Sequence, residues 1–560
     1  MDMLRTLPLV LRCFWYSNLF QNEFGLDLLT PATTLLRRHL PHASIGANYA
    51  PFVYTPAGYA SNIYLYPVNK AVTAFRRGAL TLPWGEDYSW QSPIGTQQMS
   101  TLLLDMFRAG RRHAKTAAER QTMFYTMAHA PGNTPASWRR NFFGYCAHGM
   151  TMLNLYEFRP TVASYTENYV ATGWGMYAEV RKSLAELSAF EDILQSGSVA
   201  DGDVGLWASD AFDIWGPATP PSLYGQHHST FLAGKRALYI ALLHAELAVD
   251  VVVEDDIGPT LDSYAVIVLA DTHVTDAAAE ALAKWVEAGG TLVATAGAGM
   301  FNEFNETNKV LTGLLGIRPV AMHEPDAAAV QYIKQDLHFA QTLGNVHWTS
   351  AIGTNSINQS SIQSRNRSNS SAMRVNCSGV VLGARPVFQL SAAPGLHVIA
   401  TYDDGKPAAT SLASGRGRSM YVGWLPGLDY FLPAIPARPP DRGGTDEAFT
   451  HFVPTNFSVA ARQFLADAVA NVTRKQVVCS NPLVHGRPIV STKGVAVPLV
   501  NWGPRNLTNL TVTVDISGAP PTPKPSLASG GAVRLLTQES ATRAVFHLDE
   551  LDVADALILR

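Results

Sequence analysis

Charge is scarce in this chain. Asp, Glu, Lys and Arg make up 16% of its 560 residues, and 42 basic against 45 acidic side chains leave a net charge of −3. That balance excludes the basic footprint of a nucleic-acid-binding protein and any attraction to an anionic membrane surface. Cysteine is scarcer still. Cys13, Cys146, Cys377 and Cys479 lie far apart and none stands in a C-x-x-C pair, which excludes a zinc finger or a dense disulfide framework. One bridge, such as Cys377 to Cys479, stays open. No apolar run approaches the ~20 residues that span a bilayer. Residues 1–20 hold Arg5, a short apolar stretch and Arg12, which does not read as a signal peptide. What is plentiful is apolar: 47% hydrophobic residues describe a well-packed globular protein, and the length suits three to four domains at ~150 residues each.

The most informative stretch is 78–90. An apolar run ends in Pro83-Trp84-Gly85, and Glu86 and Asp87 follow among Trp84, Tyr88 and Trp90. Aromatic faces stack on the C–H groups of pyranose rings, while carboxylates bind hydroxyls or perform acid–base and nucleophilic work. A solvated turn that happens to hold Trp and Glu is the plainer alternative, because short motifs match loosely. Nine N-x-S/T sequons, at Asn305, Asn358, Asn366, Asn369, Asn376, Asn456, Asn471, Asn506 and Asn509, either arise by chance in Asn- and Ser-rich loops or mark a secreted glycoprotein, which conflicts with residues 1–20 unless the true amino terminus lies upstream.

Residues 1–200 alternate strands and helices. Strands are expected over 44–50, 79–84, 123–128 and 150–158, and a helix over 95–108. Each strand runs into a loop rich in functional side chains: Asn48, then Glu86 and Asp87, then His129 to Asn133, then Glu157 onward to Glu167. Such residues at the carboxyl ends of successive parallel strands are the pattern of a TIM barrel, although a barrel needs eight strands and four are seen. Residues 203 to about 320 read as a doubly wound α/β unit. Strands are expected at 204–208, 249–253, 264–270 and 291–296, and helices at 233–247 and 275–288, the latter capped by Thr275 and ended by Gly289-Gly290. The rhythm fails from 321, where 354–378 reads as a long polar loop, and 486–560 alternates like a small antiparallel β-sandwich. Three domains follow: a partial (β/α) barrel over 1–200, an α/β domain over 201–480 and a β-sandwich over 481–560. Asp210, Asp213 and Trp215 read as an interface loop, and Gly297-Ala298-Gly299 lacks the spacing of a nucleotide fingerprint.

Residues 127–138, Met127-Ala128-His129-Ala130-Pro131-Gly132-Asn133 and on to Trp138, resemble the seventh-strand motif of β-galactosidases of glycoside hydrolase family 42. Residues 154–159 with Glu167 resemble that family's eighth-strand segment, and 204–299 resembles its trimerisation domain. The resemblance implies a glycosidase, a homo-oligomer, with a trimer suspected, and a downstream Glu, here Glu167, on the sugar. It also exposes departures. Ala128 stands where the family's nucleophilic Glu follows Met, and Val170 replaces a His. The strand bearing the family's Asn-Glu acid belongs upstream of residue 1. The Asn22-Glu23 pair precedes an expected helix over 26–40 and reads as a decoy.

The expected catalytic carboxylates are therefore Glu86, Asp87 and Glu167. Asn48, Trp84, Trp90, His129, Asn133 and Glu157 are expected to bind substrate. A carbohydrate is the expected partner, with no nucleic acid, no membrane span, no metal and no cofactor. The alternative is a catalytically silent carbohydrate-binding or assembly protein, which Ala128 favours.

Overall fold

The computed structural model describes residues 3–49, 69–86, 97–112, 119, 121–127, 134–156, 174–218, 225–258, 260–323, 330–332, 335–337, 342–352, 373–434, 454–520 and 523–560. The chain opens with a 37-residue helix, α1 (Met3–His39). Its inner face buries Trp15 and Leu26, and the Thr33 hydroxyl donates to the Ala79 carbonyl at 2.6 Å. Asn22-Glu23 falls inside this helix, consistent with its reading as a decoy.

Four strands follow, β1 (Gly46–Tyr49), β2 (Leu82–Glu86), β3 (Met123–Met127) and β4 (Met152–Tyr156). They form one parallel sheet in chain order. Helices α2 (Asn69–Arg76), α3 (Thr101–Gly110) and α4 (Pro135–Ala147) lie between them in sequence, because parallel neighbours need a crossover. The Thr134 side chain accepts from the Ser137 amide and Pro135 opens the first turn, so α4 starts where capping chemistry dictates. Gly85 lets α3 come close: a Cβ there would stand 2.7 Å from Leu103 and 3.0 Å from Phe107. The chain continues through α5 (Trp174–Leu187), α6 (Glu191–Ser196) and the short β5 (Ser198–Val199).

The second unit is built on β6 (Val204–Ala208), β7 (Val249–Val253), β8 (Val266–Leu269) and β9 (Thr291–Ala294). All four are parallel and fully buried, hence their near-continuous apolar composition. Helices α7 (Asp210–Ala218), α8 (Gly225–His244) and α9 (Asp276–Glu287) accompany them. Asp210, Asp213 and Trp215 thus sit on a helix, not in the expected loop. Thr275 caps α9 by accepting from the Ala278 amide, as expected, and Gly289 leaves the helix at φ 127°, a backbone angle open to glycine.

The rhythm that fails after 321 returns as strands. The sheet extends from β9 through Gly417–Val422, which is parallel to it, and then antiparallel through Pro407–Ser414, Leu396–Tyr402, Thr342–Ile352 and Met373–Leu382. Residues 373–378 of the expected polar loop are therefore strand; 353–372 lie outside the described residues. All four cysteines are free, so the open Cys377–Cys479 bridge is absent. Beyond Val477 the strands form a four-stranded and a six-stranded sheet that share one apolar core, with Val512 and Phe546 from one and Val497 and Leu557 from the other. The six-stranded sheet recruits β5, through Val199 opposite Ile489.

A buried ionic junction joins these parts. Arg108 on α3 and Arg487 both reach the carboxylate of Asp250 on β7, Arg487 at 3.1 Å, and the Gly202 amide donates to its other oxygen at 2.9 Å. Burial opposes the charge on Asp250, but the two guanidiniums hold its carboxyl below the usual range. One turn earlier on α3, Asp105 is fully buried; its oxygens meet His148 Nδ1 at 2.9 Å and accept from the Tyr239 hydroxyl of α8 at 2.8 Å. Burial opposes ionisation there too, yet His148 and Arg108 hold the carboxyl well below the usual carboxylate range. Removing one member of such a group leaves an uncompensated buried charge. Asp250→Ala removes the carboxylate shared by the buried Arg487 and the partly buried Arg108 and is expected to lower the unfolding free energy by ~3–5 kcal/mol in urea titrations. A loss under ~1 kcal/mol would show that the junction contributes little beyond packing.

Candidate functional site

Of the expected sugar-site residues, Asn48, Trp84 and Glu86 lie on adjacent strands of the four-stranded sheet. Asn48 on β1 is the register partner of Trp84 on β2, and Trp84 is in turn opposite Met123. Glu86 closes β2 and is opposite Tyr125, which is opposite Asn154 on β4. Strand residues two apart share a face. Trp84 therefore stands on the face opposite Gly85, away from the side that Leu103 and Phe107 of α3 cover. Asp87, Trp90, His129, Asn133, Glu157 and Glu167 lie outside the described residues, as do the side chains of Asn48 and Glu86. The described chain ends at Glu86 before the first two of these, at Met127 before the second two and at Tyr156 before the last two.

Trp84 is half-buried, and its indole Nε1 is buried with no hydrogen-bond partner among the described residues. A buried N–H without an acceptor is uncommon and costs free energy in the unliganded protein. Asn154 was not among the expected site residues. It occupies the same register row as Glu86, once removed. The signal for it was a polar residue at the centre of Met-Leu-Asn-Leu-Tyr, where a parallel strand packed on both faces would be apolar.

A second polar cluster sits where β6, β7 and β8 end. In the order β9-β8-β6-β7 the chain leaves β6 toward β7 on one side and later returns to β8 on the other, which creates a topological switch point. Open α/β sheets bind ligands in the crevice at such points. Here the crevice is filled by the protein. Lys235 of α8 donates to both oxygens of Asp271 at 2.8 Å, and the Ser209 amide donates to one of them at 2.8 Å. Glu254 accepts from the Ser209 hydroxyl at 3.0 Å, the Thr275 amide at 3.0 Å and the Asp210 amide at 3.2 Å. The Gly297-Ala298-Gly299 turn offers no phosphate cradle. Gly297 and Gly299 take φ of 76° and 66°, and the three amides already donate to the Tyr421 hydroxyl, the Thr295 carbonyl and the Asp271 carbonyl.

Burial, reinforced by the neighbouring Asp210 charge, pushes the Glu254 carboxyl up to about 8, against three hydrogen bonds that favour the anion. The unfolded chain releases this proton near 4.5 and the folded chain near 8. Between those values the folded state holds the extra proton, so Glu254 stabilises the fold at low pH and the benefit is lost as pH rises through 8. Thermal midpoints are expected to fall from pH 5 to pH 9 in the wild type and to fall less in Glu254→Gln. Parallel pH profiles for the two proteins would show that Glu254 titrates normally.

The profile of the β-galactosidase trimerisation domain matches residues 231–319, which contain most of α8 and all of β7, β8, α9 and β9. No curated protein sequence matches the chain. Several solved structures share its fold. The β-galactosidase from Bacillus circulans sp. alkalophilus is 14% identical, covering 97% of this chain and 67% of its own, with a TM-score of 0.61. The enzyme from Rahnella sp. R3 is 16% identical, covering 96% and 67%, with a TM-score of 0.60. A catalytic mutant of Gan42B, a GH42 β-galactosidase from G. stearothermophilus, is 14% identical, covering 94% and 65%, with a TM-score of 0.58. This chain thus spans 65% of the length of Gan42B. The protein carries a match to the β-galactosidase trimerisation domain over residues 231–319 within a fold shared with glycoside hydrolase family 42 β-galactosidases.

Proposed function

We propose that this protein is a glycoside hydrolase acting on β-galactosides or related glycans. The observation that carries the reading is the shared carboxyl edge of β1 to β4: every expected site residue belongs to the second half of one of these strands or to the segment that follows it. Catalytic groups of (β/α) barrels come from that edge of several different strands. In this reading residues 1–200 are a partial barrel, 201–480 an α/β domain that assembles the protein as a homo-oligomer, with a trimer suspected, and 481–560 a β-sandwich. Glu86, Asp87 and Glu167 supply the carboxylates. One protonates the leaving oxygen, and a second attacks the anomeric carbon if ~5–5.5 Å away or activates water if ~6.5–9.5 Å away. Trp84 and Trp90 stack on the ring, and the free Trp84 indole N–H donates to a hydroxyl. Asn48, His129, Asn133 and Glu157 bind further hydroxyls. The chemistry calls for neither metal nor cofactor. The sequons make the protein a candidate for the secretory pathway.

A second reading is favoured by Ala128, which directly follows the last residue of β3 where the resembled enzymes hold their nucleophile. In it the same edge binds carbohydrate without cleaving it. An aryl β-galactoside separates the two. The hydrolase reading expects turnover by the purified chain that falls ~10²–10⁴-fold in Glu86→Gln, Asp87→Asn or Glu167→Gln, with unchanged melting temperatures. The second expects no turnover, and calorimetric binding of a galactoside that Trp84→Ala weakens. Turnover that survives replacement of all three carboxylates would end the first reading.

A further inference from the structure

Three buried histidines meet where the carboxyl-terminal strands dock, each from a different part of the chain. His148 follows α4, and His244 ends α8. His485 lies on the strand Val484–Gly486, which pairs with Gly494–Asn501 of the six-stranded sheet. Helix α8 packs on the first of these strands and α4 on the second. The three histidines are exposed by only 1%, 1% and 8%. The rings of His148 and His485 stand 5.2 Å apart across the joint. His148 Nδ1 meets Asp105, and its Nε2 is buried with no hydrogen-bond partner among the described residues. His244 is engaged at both ring nitrogens, by the Tyr430 hydroxyl at 2.7 Å and by Gln98 Oε1 at 2.8 Å.

The surroundings decide which charge this pair can carry. A protonated His485 faces His148 and the guanidinium of Arg487, and Arg108 acts on His148 from α3. The nearby carboxylates are already committed. Asp105 meets His148 and accepts from the Tyr239 hydroxyl, and Asp250 is shared by Arg108 and Arg487. Glu246, which lines a small cavity with His485 and Arg487, is held by Lys475 at 2.7 Å and by the Cys479 amide at 3.1 Å. Burial keeps the Cys479 thiol protonated and uncharged, so it offers no counter-ion. Burial pushes His485 well below the ordinary imidazole range, and His148, Arg487 and His244 add to the effect. Burial lowers His148 as well, against the pull of Asp105. An imidazole released into water takes its proton near ~6.5. Below that value the open arrangement binds protons that the docked one rejects, so docking weakens as pH falls.

We propose that the His148–His485 contact is an acid-sensitive latch, whose protonation releases the strands around His485 from α3, α4 and α8 while the parallel sheet of the second unit stays closed. The latch is independent of the sugar site, and neither reading of that site affects it. Its test is amide hydrogen exchange of the full chain, corrected for the intrinsic pH dependence of exchange. Each proton taken up on opening multiplies the opening constant about tenfold per pH unit. With two imidazoles charged, the amides of Val484–Gly486 and Gly494–Asn501 should open ~100-fold more readily at pH 4.5 than at pH 5.5. His485→Phe keeps a ring in place and should reduce that rise to ~10-fold. The amides of β6 and β8 should show no such rise. Opening constants that stay level between the two pH values in the wild type overturn the proposal, and that result needs no variant. A rise of equal steepness in His485→Phe overturns it too, because other groups then take the protons. So does a rise that β6 and β8 share, which is general acid unfolding.

Discussion

The carboxylate of Asp250 is the point on which three parts of the chain converge. It sits on β7 of the α/β unit, is reached by Arg108 from the helix behind the four-stranded sheet, and is reached again by Arg487 from the carboxyl-terminal strands. Arg487 also donates to the carbonyls of Val249 and Ala200, so it reads the backbone on both sides of the joint. A buried ion pair is weak evidence for net stability, since taking the charges out of water costs about what their attraction returns. Its effect is on specificity. An apolar joint tolerates sliding, whereas two guanidiniums sharing one carboxylate have a single satisfactory geometry. Asp105, Tyr239 and His148 repeat the device one turn away.

That junction engages the amino ends of β2 to β4. Arg111 donates to the carbonyl of Thr81, just ahead of β2, and Gln195 donates to that of Thr151, just ahead of β4. A cavity of about 160 Å³ beside them is lined by Arg108, Arg112, Thr122 and Asp250. The edge that anchors the sheet is thus opposite the edge that carries Asn48, Trp84 and Glu86. In barrels this division separates residues kept for stability from those kept for chemistry.

The second unit was the most legible part of the sequence. The strands Val204–Ala208 and Val249–Val253 begin and end where the apolar runs do, because both are buried on both faces and Asp250 is the one polar side chain in either. Thr275 announced α9 through its hydroxyl. Helix α1 was underestimated, from 26–40 to Met3–His39, because apolar residues on both faces erase the single stripe by which a helix is recognised. Asp210 to Trp215 read as a loop because Asp competes with the backbone for hydrogen bonds, but here Ser209 caps the turn by accepting from the Ala211 and Phe212 amides. Strand Met373–Leu382 was hidden by Asn376 and Ser378, which face solvent. For the candidate site, the composition of the loops after β1 to β4 was legible, and so was their common edge. The row that unites Glu86 with Asn154 was not, since register is set by pairing across strands that the sequence does not order.

Fold likeness and chemistry separate at the switch point of the second unit. A doubly wound sheet offers a crevice there, and many proteins of this architecture use it. In this chain Lys235 neutralises Asp271 within the crevice, Ser209 is committed to capping α7 and to Glu254, and the glycine turn donates its amides internally. Each group that could have acted on a ligand is held by another protein group. Activity follows the site and not the architecture that houses it. The same reasoning applied to the first unit reaches the opposite result. Gly85 brings α3 against one face of the sheet, and on the other face Trp84 keeps an indole donor without an acceptor. The indoles of Trp138, Trp207, Trp348, Trp424 and Trp502 also lack an acceptor among the described residues, so what sets Trp84 apart is its place on β2 toward the carboxyl edge of the sheet and not the open donor itself.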